Sequence, residues 1–142
     1  MFNPSREQVR QFFFDAWRQY RHGTPLTGMD AHAVNIALMH PEYHGILDAP
    51  ERYLNREWTP DEGQTNPFLH MSMHLAIEEQ LSIDQPPGIV AAMQVLAAQS
   101  KDPHAAQHVA MECLGEMVWR AQRDGTAPDA LQYLDCLRRH GR

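Results

Sequence analysis

Asn66-Pro67-Phe68-Leu69-His70-Met71-Ser72-Met73-His74-Leu75-Ala76-Ile77-Glu78 is the stretch from which the rest of the chain can be read. Asparagine before proline signals a helix start. The amide side chain accepts from free N–H groups of the first turn, and proline tolerates the first helical position because its missing N–H is not needed there. A helix is therefore predicted from Pro67 to about Ile83, closed by the break at Pro86-Pro87-Gly88. Four residues overshoot one helical turn by only about 40°. His70, His74 and Glu78, at i, i+4 and i+8, thus project along one stripe.

The same order returns further on, in His104-Ala105-Ala106-Gln107-His108-Val109-Ala110-Met111-Glu112, behind a second start signal, Asp102-Pro103. Glu116 extends that stripe by one more turn. Random placement of the chain's His and Glu residues would rarely give the pattern once, and here it stands twice. Imidazole mixed with carboxylate is the donor set of borderline metals such as iron and zinc, and helices present such donors three or four residues apart. Burying these groups without a cation would set carboxylates against one another or force their pKa values up. The expected ligands are His70, His74, Glu78, His104, His108 and Glu112. A pair of iron ions is the leading expectation, with manganese or zinc as alternatives.

A local cluster, His40-Pro41-Glu42-Tyr43-His44, offers two further candidate ligands, His40 and His44, of which His44 is the better because an additional helix would complete the cage, with Glu42 and Tyr43 as supporting partners. Pro41 disturbs the helix that would otherwise align the two imidazoles. His22, His32 and His140 read as solvated. The methionines Met71, Met73, Met93, Met111 and Met117 read as core filler, and Trp17, Trp58 and Trp119 as packing residues.

Around these stripes the chain reads as all-α. A first helix is expected from about Pro4 to Arg21, with Val9, Phe12, Phe13, Trp17 and Tyr20 on its apolar face, ending at Gly23. A second is expected from Thr27 or Gly28 to Met39, with a short helical turn after Pro41. Asp48 to Thr65 reads as a long connection with one helical turn near Arg52 to Trp58, serving either as a lid or as a loop across the end of a bundle. Further helices are expected from Gly88 to Gln99, Pro103 to Arg123 and Pro128 to Arg139. No segment shows the alternation of a strand. The expectation is one domain over residues 1–142, a bundle of about five to six helices with a four-helix core.

The net charge of −6 argues against nucleic acid as a partner. No apolar run approaches the roughly 20 residues needed to span a bilayer, and the N-terminus lacks signal-peptide grammar. A cytoplasmic location without membrane contact is the default. Cys113 and Cys136 are too few and too poorly spaced to suggest a thiolate zinc site, and are then expected as free thiols in a reducing compartment. Three functional readings stay open: a two-metal protein that binds, senses or activates dioxygen or peroxide; a zinc-dependent hydrolase with Glu78, Glu112 or Glu116 as general base; and a structural or regulatory module with a His-rich core that senses pH.

In Met1-Phe2-Asn3-Pro4-Ser5-Arg6, His40-Pro41-Glu42-Tyr43-His44, Asn66 to His70 with His74, Gln85-Pro86-Pro87-Gly88-Ile89, and His104 through Glu116, the chain resembles the bacterial family DUF1841 over nearly its whole length. That resemblance implies no activity. A looser likeness is to hemerythrin-type bundles, whose oxygen-binding iron pair is held by His-x3-Glu on one helix and His-x3-His on another. His74/Glu78 and His104/His108 resemble those two pieces. The chain lacks the His-x4-Asp element of the final helix in that family and doubles the His-His-Glu stripe, so the likeness raises the expectation of iron without implying oxygen carriage.

Overall fold

The computed structural model describes residues 5–58 and 66–141. Among these the chain is entirely helical: α1 (Arg6–Arg21), α2 (Gly28–Leu38), a 3-10 turn (Pro41–Tyr43), α3 (His44–Leu47), α4 (Pro50–Tyr53), α5 (Pro67–Ile83), α6 (Ile89–Ser100), α7 (Pro103–Asp124) and α8 (Ala130–His140). The all-α expectation holds. The chain divides into two compact units, Met1–Leu75 and Ala76–Arg142, with α5 contributing residues to each. The expected start of the first helix at Pro4 and residues 59–65 of the expected long connection lie outside the described residues.

In the first unit α1 starts from Ser5, whose hydroxyl accepts from the Gln8 N–H (3.1 Å) while the Gln8 side chain accepts from the Ser5 N–H (2.8 Å). Its buried face consists of Arg10, Phe13, Phe14, Ala16 and Trp17, which corrects the expected face. Val9 and Phe12 are only partly buried, and Tyr20 is 40% exposed. The stripe is rotated because Arg10, which a hydrophobic pattern rejects, is 1% exposed. Its Nη1 donates to the carbonyls of Tyr53 (3.2 Å), Leu54 (2.9 Å) and Arg56 (2.7 Å). The guanidinium also lies 5.1 Å from the ring centres of both Trp58 and Phe68. The carbonyls at the end of a one-turn helix such as α4 have no partners within the helix, and a positive fork supplies them. Burial lowers the Arg10 pKa, the neighbouring Arg6 charge adding to the effect.

α1 packs on α2 around Phe13, Phe14, Trp17, Val34, Ile36 and Leu47, and Phe68 of α5 closes on Phe14 at 5.3 Å between ring centres. The helical turn expected near Arg52 to Trp58 comes earlier, at Pro50–Tyr53. Asp48 ties this corner, accepting from the Trp17 indole (2.7 Å) and from Arg21 (2.9 Å and 3.2 Å). The hydrogen bond from Arg21, then that from Trp17, hold its carboxyl below the usual aspartate range. A depressed folded pKa contributes stability at pH above the unfolded value, about 3.9, and that contribution fades as pH falls through the folded value. Asp48→Asn should therefore flatten the acid limb of unfolding free energy against pH, measured by urea titration below about pH 4. An unchanged limb would mean the partners do not hold the carboxylate.

In the second unit α6, α7 and α8 pack against one another. The Asp84 carboxylate opens α6 by accepting from Val90 N–H (3.1 Å), and Gly88 takes the left-handed φ of 99° that the preceding turn requires. Asp102 caps α7 through His104 N–H (3.0 Å), and Asp129 caps α8 through Leu131 N–H (3.0 Å). Ala106 and Ala110 on α7 let the helices approach closely around Ile89, Leu96, Leu134 and Leu137. Tyr133, 1% exposed, donates to the Gln80 side chain (2.8 Å), and burial pushes its phenol well above the ordinary value.

The cysteines are not free thiols. Cys113 on α7 and Cys136 on α8 form a disulfide, with Cα atoms 5.8 Å apart. Both lie on buried helix faces, so packing α7 against α8 brings together residues 23 positions apart in sequence. Closing a loop of that size stabilises the folded chain by about 3–4 kcal/mol on chain-entropy grounds.

Candidate metal centre

α5 begins where the sequence predicts: the Asn66 side chain accepts from Phe68 N–H (2.9 Å) and Leu69 N–H (3.3 Å), and Pro67 is the first helical residue. His70 and His74 then follow one turn apart on one face, their ring centres 4.9 Å apart. His74 is fully buried.

The third imidazole of the first unit comes from the end of α2. Pro41 excludes the helical conformation from the residue before it, and His40 leaves the helix at φ −129°, ψ 73°. Its ring is 4% exposed and meets those of His70 and His74 at 4.8 Å and 4.9 Å between centres. The Ile36 carbonyl lies 2.8 Å from His40 Nδ1. A carbonyl only accepts, so Nδ1 carries the proton and, in the neutral ring, Nε2 keeps its lone pair. That lone pair faces Nε2 of His70 at 3.1 Å. Two imidazole nitrogens bound to one ion at about 2.0–2.1 Å stand roughly 2.9 Å apart at a right angle and roughly 3.3 Å at the tetrahedral angle. The observed separation falls between these limits. An Nδ1–H fixed by a backbone carbonyl is also the usual support of a ligating histidine. The donors present fit a transition-metal ion.

Tyr43 stacks on His40 with ring centres 5.2 Å apart and planes at 13°. Burial, then the Glu42 charge, raise its phenol pKa. Glu42 itself is exposed. His44 goes elsewhere: its Nε2 donates to the Ala37 carbonyl (2.8 Å) and its ring packs on Trp17 at 4.6 Å. The structure joins His40, and not His44, to the α5 imidazoles.

In the second unit, His104 and His108 of α7 follow one turn apart with ring centres 4.3 Å apart. Glu78 of α5 accepts from the Gln107 side chain at 2.7 Å. Gln107 stands one residue before His108, and sequence reading missed it because a glutamine between two candidate ligands carries no metal signature of its own. Glu112 is exposed. Glu116 accepts from Arg120 at 2.6 Å. Met71, Met93 and Met111 are buried as expected, but Trp119 is 57% exposed with Arg123 over its ring at 4.7 Å, so it is not a core residue.

No helix among the described residues is long and apolar enough to cross a membrane. A family model described as Domain of unknown function (DUF1841) matches residues 5–139. No curated protein and no solved structure matches the chain.

Proposed function

Because the chain belongs to the DUF1841 family, whose description assigns no activity, its chemistry has to come from its own side chains, and we propose that it is a metal-binding protein. The donors in this reading are His40, His70 and His74 in the first unit and, in the second unit taken by itself, His104 and His108 with Glu78 as carboxylate. Each set offers three donors to an ion, and imidazole-rich donors suit iron or zinc, with manganese the alternative that a larger share of carboxylate would favour. Glu112, which is exposed, and His44, whose Nε2 is bound to a backbone carbonyl, stand outside that set.

The observation that carries the reading is the pair of Nε2 atoms of His40 and His70 at 3.1 Å, with Nδ1 of His40 already committed to Ile36 and His74 buried beside them. Bound iron would supply sites for dioxygen or peroxide, which makes binding or sensing of a small oxygen species the favoured role. The protein's own part is to hold the rings in register. The Ile36 carbonyl fixes the His40 tautomer, the Tyr43 ring fixes its plane, and Gln107 orients the Glu78 carboxylate. Elemental analysis of untagged protein purified without chelators tests the reading. Between one and two equivalents of iron or manganese are expected. Protein that carries no transition metal, and takes up none on anaerobic addition of ferrous ion, would overturn it.

A further inference from the structure

The disulfide of the second unit is more than a staple in its surroundings. It lines a cavity of about 330 Å³ between α7 and α8, together with Glu116, Arg120, Tyr133, Asp135 and Arg139. His140, in the last turn of α8, completes a group: one donor atom from each of Cys113, Cys136 and His140 lies within 4.8 Å of the other two. His140 is exposed, so core packing does not hold its ring in place. Two buried sulfurs and one imidazole are the ligands of a three-point zinc site with an open fourth position. Two thiolates on one tetrahedral zinc stand roughly 3.8 Å apart at bond lengths of about 2.3 Å. Helices whose Cα atoms are 5.8 Å apart at the cysteines reach that separation by side-chain rotation.

We propose that the Cys113–Cys136 disulfide is the oxidised, closed form of a thiolate–imidazole site that, once reduced by a dithiol, binds one zinc ion through Cys113, Cys136 and His140. In the reduction a thiolate of the dithiol attacks one sulfur, the S–S bond breaks and two electrons pass to the protein. The dithiol leaves as its own disulfide, and its two protons end on Cys113 and Cys136. Zinc binding then releases those two protons to solvent as the thiolates coordinate. The cavity gives the reductant and the ion a way in, and the Glu116 and Asp135 carboxylates offset the two guanidinium charges beside it. α7 and α8 thus remain cross-linked in both states, by sulfur–sulfur bond or by metal.

Cobalt(II), a spectroscopic stand-in for zinc, tests this in the full chain. Only thiolate ligation gives the intense near-ultraviolet charge-transfer absorption, so any cobalt bound by the imidazoles of α5 and α7 does not confuse the reading. Oxidised protein should show no such band. Protein reduced with a phosphine, which does not chelate, should develop it with one equivalent of cobalt and lose it when zinc is added. Cys136→Ser should abolish the band. His140→Ala, at an exposed helix end, keeps the fold and should weaken cobalt affinity at least about tenfold, since even supporting partners of ligands are worth that much. Reduced, folded protein without the band, or a band with affinity untouched by His140→Ala, overturns the proposal. It stands or falls apart from the imidazole site.

Discussion

Replacing His74 by alanine should strip the protein of most of the metal we propose it binds, lowering affinity by about a hundredfold or more, because a ligand is worth at least what its supporting partners are. The residue is fully buried between His70 and His40, so truncation also leaves a cavity and should cost about 2–4 kcal/mol of stability. The two effects separate through a companion variant. His44→Ala removes a ring that packs on Trp17 and donates to Ala37. It should lower the unfolding free energy by about 1–3 kcal/mol while leaving metal content near that of the parent. Metal analysis beside thermal unfolding reads both quantities. Equal metal loss in the two variants would show that destabilisation, and not ligation, governs occupancy.

Arg10→Ala should be the most destabilising change in the first unit, at about 3–5 kcal/mol. One nitrogen serves three carbonyls, those of Tyr53, Leu54 and Arg56, and the guanidinium sits against the Trp58 and Phe68 rings. Hydrogen bonds to a charged donor are worth about 1.5–3 kcal/mol each, and a buried carbonyl left without a donor adds its desolvation cost. Arg10→Lys keeps a charge with three donors but loses the planar contact with the rings, so it should recover only part of the loss. Urea unfolding followed by Trp fluorescence measures the series. If alanine at this position costs under about 1 kcal/mol, the guanidinium is not what holds the segment after α4.

The parts of the fold legible in sequence are those written in local chemistry. Asn66-Pro67 and Asp102-Pro103 start α5 and α7 where a capping side chain and a proline must, and the i, i+4 spacing of His70 with His74 and of His104 with His108 brings each pair of rings together. His40 is legible as a candidate from its place in the His40-Pro41-Glu42-Tyr43-His44 cluster, although sequence alone favours His44. Its choice over His44 is not legible, because it depends on which carbonyl each ring nitrogen meets after α2 has packed. Arg10 escaped the hydrophobic pattern because burial of a charge is decided by acceptors more than forty residues away in sequence. The disulfide escaped for a similar reason. Free thiols were inferred from an assumed compartment, whereas pairing is set by the faces that α7 and α8 turn to one another. Glu112 continued its stripe by spacing alone, and periodicity places a residue on an angle of the helix without saying whether anything covers that angle.

The bond between Cys113 and Cys136 also changes what the turn at 125–129 has to do. In most chains a surface turn is the sole leash on the helix that follows it, and cutting it sets that helix adrift. Here the final helix is moored a second time, by sulfur, upstream of the turn. An insertion, a protease nick or a pair of relocated termini at 125–129 would leave α8 attached for as long as the mooring holds. Its retention then depends on the bridge between Cys113 and Cys136 and no longer on the continuity of the backbone.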